Sequence, residues 1–315
     1  MLHYTDLDKL FFETYPNQAT NFIALSGYLG PDPVIKLGDL PFNSKIIYGL
    51  QKENKRKMMP LHQQLVELHN NNRRIYYSDI ACHSKCYLWL QGDLPIKGLI
   101  GSANFSSNGL YNDYRESLFE IDQNQLPALK EYVELILQSS KECNTVQIEE
   151  VPQLPPDYDK EICTMPLYDP ATGETQPSHG LNWGFSEPGN VRINDACIPI
   201  RMHHIRMYPQ LFPPRQPNLG GGNHKLLEVI ELVWDDGRVM QGRLEGSQPP
   251  NKEIKYPKQI ASFPSKDIMG IYFRERLNVP QGQRILKEHL DLYGRDTVDV
   301  SLIGEGIYYL NFSNE

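Results

Sequence analysis

The chain has 315 residues, which suggests about two domains of ordinary size. Its composition is globular, with 40% hydrophobic and 22% charged residues, and no apolar run predicts a transmembrane span. The net charge of −8 is unusual for a nucleic-acid-binding protein, but residues 181–315 contain 16 Lys and Arg against 16 Asp and Glu, so the acidic excess lies in the first part. Net charge therefore neither supports nor excludes DNA as a partner, and local basic patches decide the question.

The start of the chain and its cysteines indicate the compartment. The first residues include acids and lack a basic region followed by an apolar block, which argues against a secretory signal. Five cysteines without a paired framework fit a reducing cytoplasm. We interpret Cys82 and Cys86 as buried strand residues, because no second pair of zinc ligands follows at a suitable spacing. We therefore predict a cytoplasmic protein with no metal site.

Residues 1–150 alternate strand and helix signals. Apolar runs at 21–28, 45–49 and 74–77 predict strands, and helical spacing predicts helices at 60–70 and 126–139. Gly27 and Gly49 end two of the strands, and for each of them a plain turn is the favoured reading. This alternation predicts an α/β domain in which helices cover a mixed sheet.

A polar motif lies in the middle of this first domain. His83 and Lys85 stand two positions apart in an alternating run, 81–90, that predicts a strand with both side chains on one face. A turn of small residues follows at Gly101–Asn104, and Glu116 comes twelve positions after Asn104. Small residues beside Asn104 let a ligand approach the backbone closely.

These residue types fit chemistry on a phosphate group. The imidazole of His83 is a competent nucleophile toward phosphorus, Lys85 supplies a positive charge, and the Asn104 amide supplies a neutral donor. Glu116 could accept the other ring N–H of His83 and fix its tautomer. No metal is required for this chemistry. The structural alternative is a hydrogen-bonded strand histidine beside an ordinary turn, which gives no reason for His, Lys and Asn to converge.

The spacing His83-x-Lys85, Gly101-Ser102-x-Asn104 and Glu116 resembles the signature of the phospholipase D superfamily. The resemblance implies catalytic roles for His83, Lys85, Ser102, Asn104 and Glu116. Superfamily members bring two such motifs to one active site, whereas this chain has one; residues 203–206, His-His-Ile-Arg, are not a second copy. The resemblance therefore implies a homodimer through the N-terminal domain, in which one His83 forms a phosphohistidine and the other protonates the leaving oxygen.

The composition of the sequence changes after this domain. Residues 151–179 are rich in proline and acids, which predicts an interdomain linker. The prediction leaves open whether this linker packs against either domain. From residue 180 to 315 short strand signals alternate with turns, including a hairpin at Trp234–Val239, and predict a mainly β pseudobarrel.

This second half is similar to the plant B-three DNA-binding pseudobarrel and its bacterial counterparts. The likeness rests on residues 194–204, then Phe212-Pro213, then Trp234-Asp235-Asp236-Gly237, in that order. Together the two halves resemble the NgoFVII-type restriction endonucleases, a phospholipase-D-like nuclease followed by such a DNA-binding domain. The resemblance covers nearly the whole chain and implies double-stranded DNA as the partner.

In domains of this kind two arms grip the major groove. By position, the first arm would be 183–194 and the second 243–259, and both carry residue types that contact base edges and phosphates. The predicted contacts of the first arm are Trp183, Asn190, Arg192 and Asn194. Those of the second arm are Arg243, Glu245, Ser247, Gln248, Asn251, Lys252, Lys255, Tyr256, Lys258 and Gln259. The alternative for each is a solvated loop residue, or a core aromatic for Trp183.

Three functions compete at this point. The leading hypothesis is a sequence-specific, type II-like DNA endonuclease of a restriction system with no cofactor in the chemical step. The second is a DNA-binding targeting subunit whose nuclease is silent without a helicase-like ATPase, because the resemblance implies that some members work beside one. The chain lacks a phosphate-binding Gly-x-x-x-x-Gly-Lys motif, so ATP and Mg²⁺ would enter only through that partner. The third, phospholipid hydrolysis, is disfavoured because no amphipathic membrane-binding segment is present.

Overall fold

The computed structural model describes residues 1–51, 58–148, 161–187, 191–214, 228–248 and 255–314. These residues form two compact units. The first unit comprises residues 1–152 with 226–231 and 303–307, and the second comprises 153–225, 232–302 and 308–315. Among the helices of the described ranges, none combines the length and the apolar character needed to cross a bilayer.

The first unit is built on a mixed sheet of eight strands. In chain order these are β1 (Leu2–His3), β2 (Asn21–Ser26), β3 (Asn43–Tyr48), β4 (Arg73–Ser78), β5 (Cys86–Gln91), β6 (Leu94–Gly101), β7 (Leu118–Glu120) and β8 (Ser140–Glu142). Their spatial order is β1-β7-β6-β5-β2-β3-β4-β8. The β2–β3 and β3–β4 pairs are parallel, whereas β5 runs antiparallel to both β2 and β6. The predicted mixed sheet is confirmed.

Helices cover this sheet. They are α1 (Lys9–Phe12), α2 (Pro31–Lys36), α3 (Met58–Leu68), α4 (Ser107–Leu110) and α5 (Leu126–Gln138). On one face of the sheet, Leu25 and Leu88 pack with Leu129 and Val133, because apolar residues recur along α5 at helical spacing. On the other face, Phe11, Phe22, Trp89 and Phe105 form an aromatic cluster with ring centroids 4.9–6.1 Å apart. Burial on both faces explains why β2 is apolar along most of its length.

The second sheet has seven strands and is nearly closed and barrel-shaped. Its strands are β9 (Cys163–Pro166), β10 (Ile198–Pro199), β11 (Val229–Trp234), β12 (Val239–Glu245), β13 (Gln259–Ser262), β14 (Thr297–Gly304) and β15 (Ile307–Asn311), in the spatial order β10-β13-β12-β11-β15-β14-β9. Its helices are α6 (Met202–Met207), α7 (Asp267–Arg276) and α8 (Lys287–Tyr293). The predicted hairpin turn joins β11 to β12, and Gly237 adopts a φ of 85° that favours glycine there.

Two boundaries differ from those predicted. The strand expected at 81–90 begins only at Cys86, because residues before it make isolated backbone bonds, such as Cys82 N to Gly49 O at 3.0 Å, instead of a ladder. The segment 151–179 is more than a linker, since Cys163–Pro166 pairs with β14 as an edge strand of the second sheet. Proline is tolerated at such an edge, so its abundance did not exclude a strand. The C-terminal domain therefore starts before residue 180.

Candidate active site and DNA-reading surface

Three predicted catalytic side chains meet around Gly27, the residue that follows β2. A Cβ atom placed on Gly27 would lie 2.8 Å from His83 Cδ2, 3.3 Å from Lys85 Nζ and 3.5 Å from Asn104 Oδ1. Glycine is therefore required here by close approach, not by a turn. The convergence predicted for His83, Lys85 and Asn104 is present, and we refer to these three residues as the active-site cluster.

The active-site cluster combines one accessible group with two buried ones. His83 is exposed, whereas Lys85 and Asn104 have only 6% and 7% of their surface accessible. The Tyr28 ring and the imidazole are nearly perpendicular, with ring centroids 6.1 Å apart. The imidazole is therefore accessible to a large ligand, whereas the side chains of Lys85 and Asn104 are enclosed by the protein.

Lys85 is the cation of the cluster. Its Nζ donates a hydrogen bond of 2.7 Å to the backbone oxygen of His83, which ties the ammonium to the histidine. Burial lowers the pKa of Lys85 from its ordinary value, and the carboxylates of Glu116 and Glu305 act in the opposite direction. A desolvated ammonium interacts strongly with an anion, because the surrounding dielectric is low.

The amide of Asn104 is oriented by hydrogen bonds to its oxygen. Asn104 Oδ1 accepts from the backbone N–H of Tyr28 at 3.1 Å and lies 3.4 Å from the hydroxyl of Ser26. This network assigns the amide and leaves Nδ2 as the outward donor. Nδ2 donates to Glu305 Oε2 at 3.4 Å.

Glu305 belongs to the same compact unit as the active-site cluster. Its other carboxylate oxygen lies 3.3 Å from Nη2 of Arg115, which contributes a second cation at the edge of the site. An anionic group thus receives donors from Asn104 and Arg115 and acts electrostatically on Lys85. Neither Arg115 nor Glu305 was predicted from sequence; Arg115 stands directly before Glu116, and that adjacency was the available signal.

The contacts of Ser102 and Glu116, two further predicted catalytic residues, lie outside the active-site cluster or reach it only through charge. Ser102 Oγ accepts from the backbone N–H of Ser117 at 3.1 Å, so its side chain fixes the loop that carries Glu116. No hydrogen bond joins Glu116 to His83 within the described part of the chain, and the carboxylate acts instead through its charge on Lys85. The predicted hydrogen bond by which Glu116 would fix the His83 tautomer is therefore not formed among the described residues.

A cavity of about 560 Å³ opens in the second unit where the two arms were predicted. It is lined by Trp183, Glu245, Ser247, Lys258, Gln259 and Lys266, among others. Five of these six were predicted DNA contacts: Trp183 from the first arm, and Glu245, Ser247, Lys258 and Gln259 from the second. We name this candidate surface for DNA contact the DNA-reading surface.

A polar cluster connects the two arms across this surface. Lys266 Nζ lies 3.0 Å from Glu245 Oε2 and 5.0 Å from the centroid of the Trp183 ring. Gln259 Nε2 donates to the same Glu245 oxygen at 3.3 Å, and its Oε1 accepts from Cys197 Sγ at 3.4 Å. Lys266 was not predicted, since it lies beyond the end of the second arm in sequence.

Arg243 lies on the outer side of β12, between the inward-facing Gly242 and Leu244. Its guanidinium stacks on the Phe263 ring at 3.4 Å from the centroid, and burial lowers its pKa. Its Nε and Nη2 are buried and have no hydrogen-bond partner among the described residues. Stacking on Phe263 fixes the plane of the guanidinium.

Two other predicted contacts are engaged in hydrogen bonds within the second unit. Asn194 is 9% exposed, and its Oδ1 accepts from Gly282 N at 2.7 Å, so it holds a loop of the second unit together. Gln248 donates both of its hydrogen bonds to backbone oxygens, of Ile200 and Pro257, and stabilises the base of its arm. In both cases the side-chain amide is hydrogen-bonded to backbone polar groups.

The remaining predicted contacts are distributed as follows. Arg192 is exposed and its Nη1 forms an ion pair of 2.8 Å with Asp267. Ser247, Lys255 and Lys258 are exposed, and Tyr256 is half-buried. Asn190, Asn251 and Lys252 lie outside the described residues.

Comparison with known proteins was made at the level of families and of solved structures. Residues 5–150 match the family model of the NgoFVII restriction endonuclease N-terminal phospholipase D domain, and residues 157–304 match that of the NgoFVII C-terminal B3-like DNA-binding domain. A comparison with curated proteins found no significant match.

Three solved structures are similar to part of the chain. NucT from Helicobacter pylori is 17% identical, covering 39% of this chain and 82% of that one, with a TM-score of 0.30. Nuc, a phospholipase D family member from Salmonella typhimurium, is 14% identical with the same coverages and a TM-score of 0.31. Polyphosphate kinase from Porphyromonas gingivalis is 12% identical, covering 44% of this chain and 22% of that one, with a TM-score of 0.30.

The two family models together account for nearly all of the sequence, and each matches the compact unit that carries its characteristic residues. The phospholipase D match spans the active-site cluster, and the B3-like match spans the DNA-reading surface. The chain belongs to the NgoFVII restriction endonuclease family, with a phospholipase-D-like nuclease domain followed by a B3-like DNA-binding domain.

Proposed function

We propose that this protein is a sequence-specific DNA endonuclease of a restriction system that cleaves phosphodiesters through a phosphohistidine, at a site shared by two subunits. The observation that carries the proposal is the convergence of an exposed His83 with a buried Lys85 and Asn104 around Gly27. An accessible nucleophile beside two fixed donors is the arrangement that attack on a phosphate group requires.

The reaction follows from these positions. A ring nitrogen of His83 attacks phosphorus, and the bond from phosphorus to the leaving deoxyribose oxygen breaks. Lys85 and the Asn104 amide donate to the non-bridging oxygens, where negative charge accumulates. The partner subunit's His83, protonated, gives its proton to the leaving oxygen and then accepts one from water. That water attacks the phosphohistidine, which releases the phosphate end of the DNA and restores the imidazole.

The need for a second subunit rests on the histidines of the chain. One His-x-Lys motif is present, and the pair at 203–204 offers no substitute. His204 is 1% exposed, its Nδ1 accepts from the Arg201 backbone N–H at 3.2 Å, and burial lowers its pKa to about 4. A histidine that resists protonation is a poor general acid, and the proposal therefore assigns the proton donor to a second copy of this chain.

The covalent intermediate provides the direct test. Purified protein is mixed with end-labelled DNA, quenched in alkaline detergent, and resolved on a denaturing gel. We expect a DNA–protein adduct that survives base and is lost in acid, as a phosphoramidate bond should be, and that is absent from His83→Ala. A cleavage-competent protein that yields no adduct under single-turnover conditions would refute the phosphohistidine route.

Chelation of metals is expected to leave cleavage by the purified protein unchanged. Lys85 and Asn104 provide the positive charge and donors that a divalent cation otherwise supplies to phosphoryl oxygens. The measurement is the initial rate of plasmid cleavage with and without EDTA, followed by addition of excess Mg²⁺. A rate that collapses in EDTA and recovers with Mg²⁺, with no other protein present, would show that a metal takes part in the chemical step.

A second candidate is favoured by one contact. The carboxylate of Glu305 accepts from Asn104 in the site, which suits a nuclease that is silent until a partner acts. In that case the chain targets DNA, and a helicase-like ATPase encoded nearby switches cleavage on. Cleavage by the chain alone would exclude this candidate, whereas cleavage that appears only with the ATPase, ATP and Mg²⁺ would support it.

Replacing Arg243 with alanine is expected to weaken binding to the cognate site by about 1–3 kcal/mol, with a smaller loss on random DNA. Stacking on the Phe263 ring holds the guanidinium in a fixed plane, and a bidentate contact to a base edge requires such a fixed fork. Binding is measured by titration against both DNAs at one salt concentration. Arg238→Ala, which removes an arginine paired with Glu275, is the control. An equal loss on both DNAs would make Arg243 a phosphate contact.

A further inference from the structure

Asn104 stands between two backbone groups that are held by fully buried hydroxyls. The Tyr87 hydroxyl, from β5, donates to the carbonyl of Ala103 at 2.5 Å. The Ser26 hydroxyl, from the end of β2, accepts from the backbone N–H of Phe105 at 2.9 Å. Ser26 and Tyr87 both have 0% of their surface accessible. The residue before Asn104 and the residue after it are therefore each fixed to a different core strand.

Ser26 also orders the group that orients the Asn104 amide. Its hydroxyl donates to the carbonyl oxygen of Tyr28 at 2.6 Å, and the N–H of the same Tyr28 donates to Asn104 Oδ1 at 3.1 Å. The Ser26 oxygen itself lies 3.4 Å from Asn104 Oδ1. The Ser26 hydroxyl thus joins the segment that follows β2, which contains Gly27 and Tyr28, to the segment that follows β6, which contains Asn104 and Phe105.

These hydroxyls are not explained by packing. A buried hydroxyl costs free energy unless it is hydrogen-bonded, and an alanine or phenylalanine would fill the same core space without that requirement. Ser44, on the neighbouring strand β3, provides the contrast: it is 2% exposed, and its hydroxyl has no hydrogen-bond partner within the described ranges. What separates Ser26 and Tyr87 from Ser44 is that their bonds end on the residues that flank Asn104.

We propose that Ser26 and Tyr87 are positioning residues for catalysis, which clamp the backbone on either side of Asn104 and direct its Nδ2 toward a phosphoryl oxygen. This inference rests on the proposed function, because it needs Asn104 to act in the reaction. Neither residue touches the substrate. Their effect is therefore expected in the rate of the chemical step and not in the binding of DNA.

The test measures single-turnover cleavage by Ser26→Ala and Tyr87→Phe. Each change is expected to slow the chemical step by about 10- to 100-fold, as displacement of a positioned group does, with the dissociation constant for DNA unchanged. In an Asn104→Ala background the same changes are expected to cause no further loss, since the group they position is gone. Ser44→Ala and Tyr77→Phe, whose hydroxyls do not contact residues 103–105, are expected to retain the wild-type rate.

The outcomes separate this inference from the proposed function. The clamp would be overturned if Ser26→Ala or Tyr87→Phe slowed cleavage further in the Asn104→Ala background. It would also be overturned if either change slowed cleavage no more than Ser44→Ala and Tyr77→Phe do. Both outcomes would leave the nuclease assignment intact. If Asn104→Ala itself cleaves at the wild-type rate, the proposed site fails first. Tyr87→Phe keeps the shape of the side chain, so it tests the clamp even if Ser26→Ala lowers the melting temperature.

Discussion

Replacing His83 with alanine is expected to abolish DNA cleavage, with a loss on the order of 10⁴-fold or more, as when other covalent nucleophiles are removed. His83 is the exposed member of the active-site cluster, whereas Lys85 and Asn104 are buried and present no accessible nucleophile in its place. DNA binding should persist, because the DNA-reading surface lies in the other compact unit. Cleavage of plasmid DNA and gel-shift binding to the same DNA measure the two properties separately.

The control for this change is His203→Ala, which removes an exposed histidine of the second unit. Mixing wild-type and His83→Ala chains adds a test of the shared site. If each reaction uses one His83 from each subunit, activity should fall with the square of the wild-type fraction. A linear fall would mean that each chain acts alone, and residual cleavage by His83→Ala would remove the nucleophile assignment.

Replacing Gly27 with alanine is expected to lower the rate of cleavage by about 100-fold, with little change in DNA binding. The new methyl group would lie 2.8 Å from His83 Cδ2, closer than carbon atoms tolerate, and 3.3 Å from Lys85 Nζ. His83 is exposed, so its ring can turn away and relieve the contact without disturbing the core. Single-turnover rates and melting temperatures are the measurements.

Gly98→Ala is the matched control, because its methyl group would also meet a neighbour at 2.8 Å, the Cδ2 atom of Leu126 in the core. We expect Gly98→Ala to lower the melting temperature and to spare the rate, which is the reverse pattern. Should Gly27→Ala cleave DNA at the wild-type rate, the imidazole would not need its observed position, and the geometry described for the site would not be the reactive one.

Local patterns predicted much of the fold. The strands β2, β3 and β4 and the helix α5 follow from apolar runs and helical spacing, and each lies within a few residues of its predicted range. The hairpin between β11 and β12 follows from Asp235-Asp236-Gly237, a sequence in which glycine takes the left-handed position. In these cases neighbouring residues determine the structure, so a single sequence is enough.

The site was predictable only where its parts are close in sequence. The pairing of His83 with Lys85 and their meeting with Asn104 follow from one motif. The hydrogen bond from Asn104 to Glu305 joins residues 201 positions apart, and no periodicity carries such information. Asn194 was predicted to contact DNA because its amide suits a base edge. In the structure its Oδ1 accepts a hydrogen bond from the backbone N–H of Gly282. Polar residue types alone do not distinguish a ligand contact from an internal one.

The acid at position 305 has an electrostatic consequence for substrate entry. Lys85 is buried, and a buried ammonium without a compensating anion is costly. A phosphodiester bound at Asn104 would take the place of the Glu305 carboxylate, and both carry a single negative charge. Glu116 also acts on Lys85, so the exchange would leave the charge around the lysine unchanged.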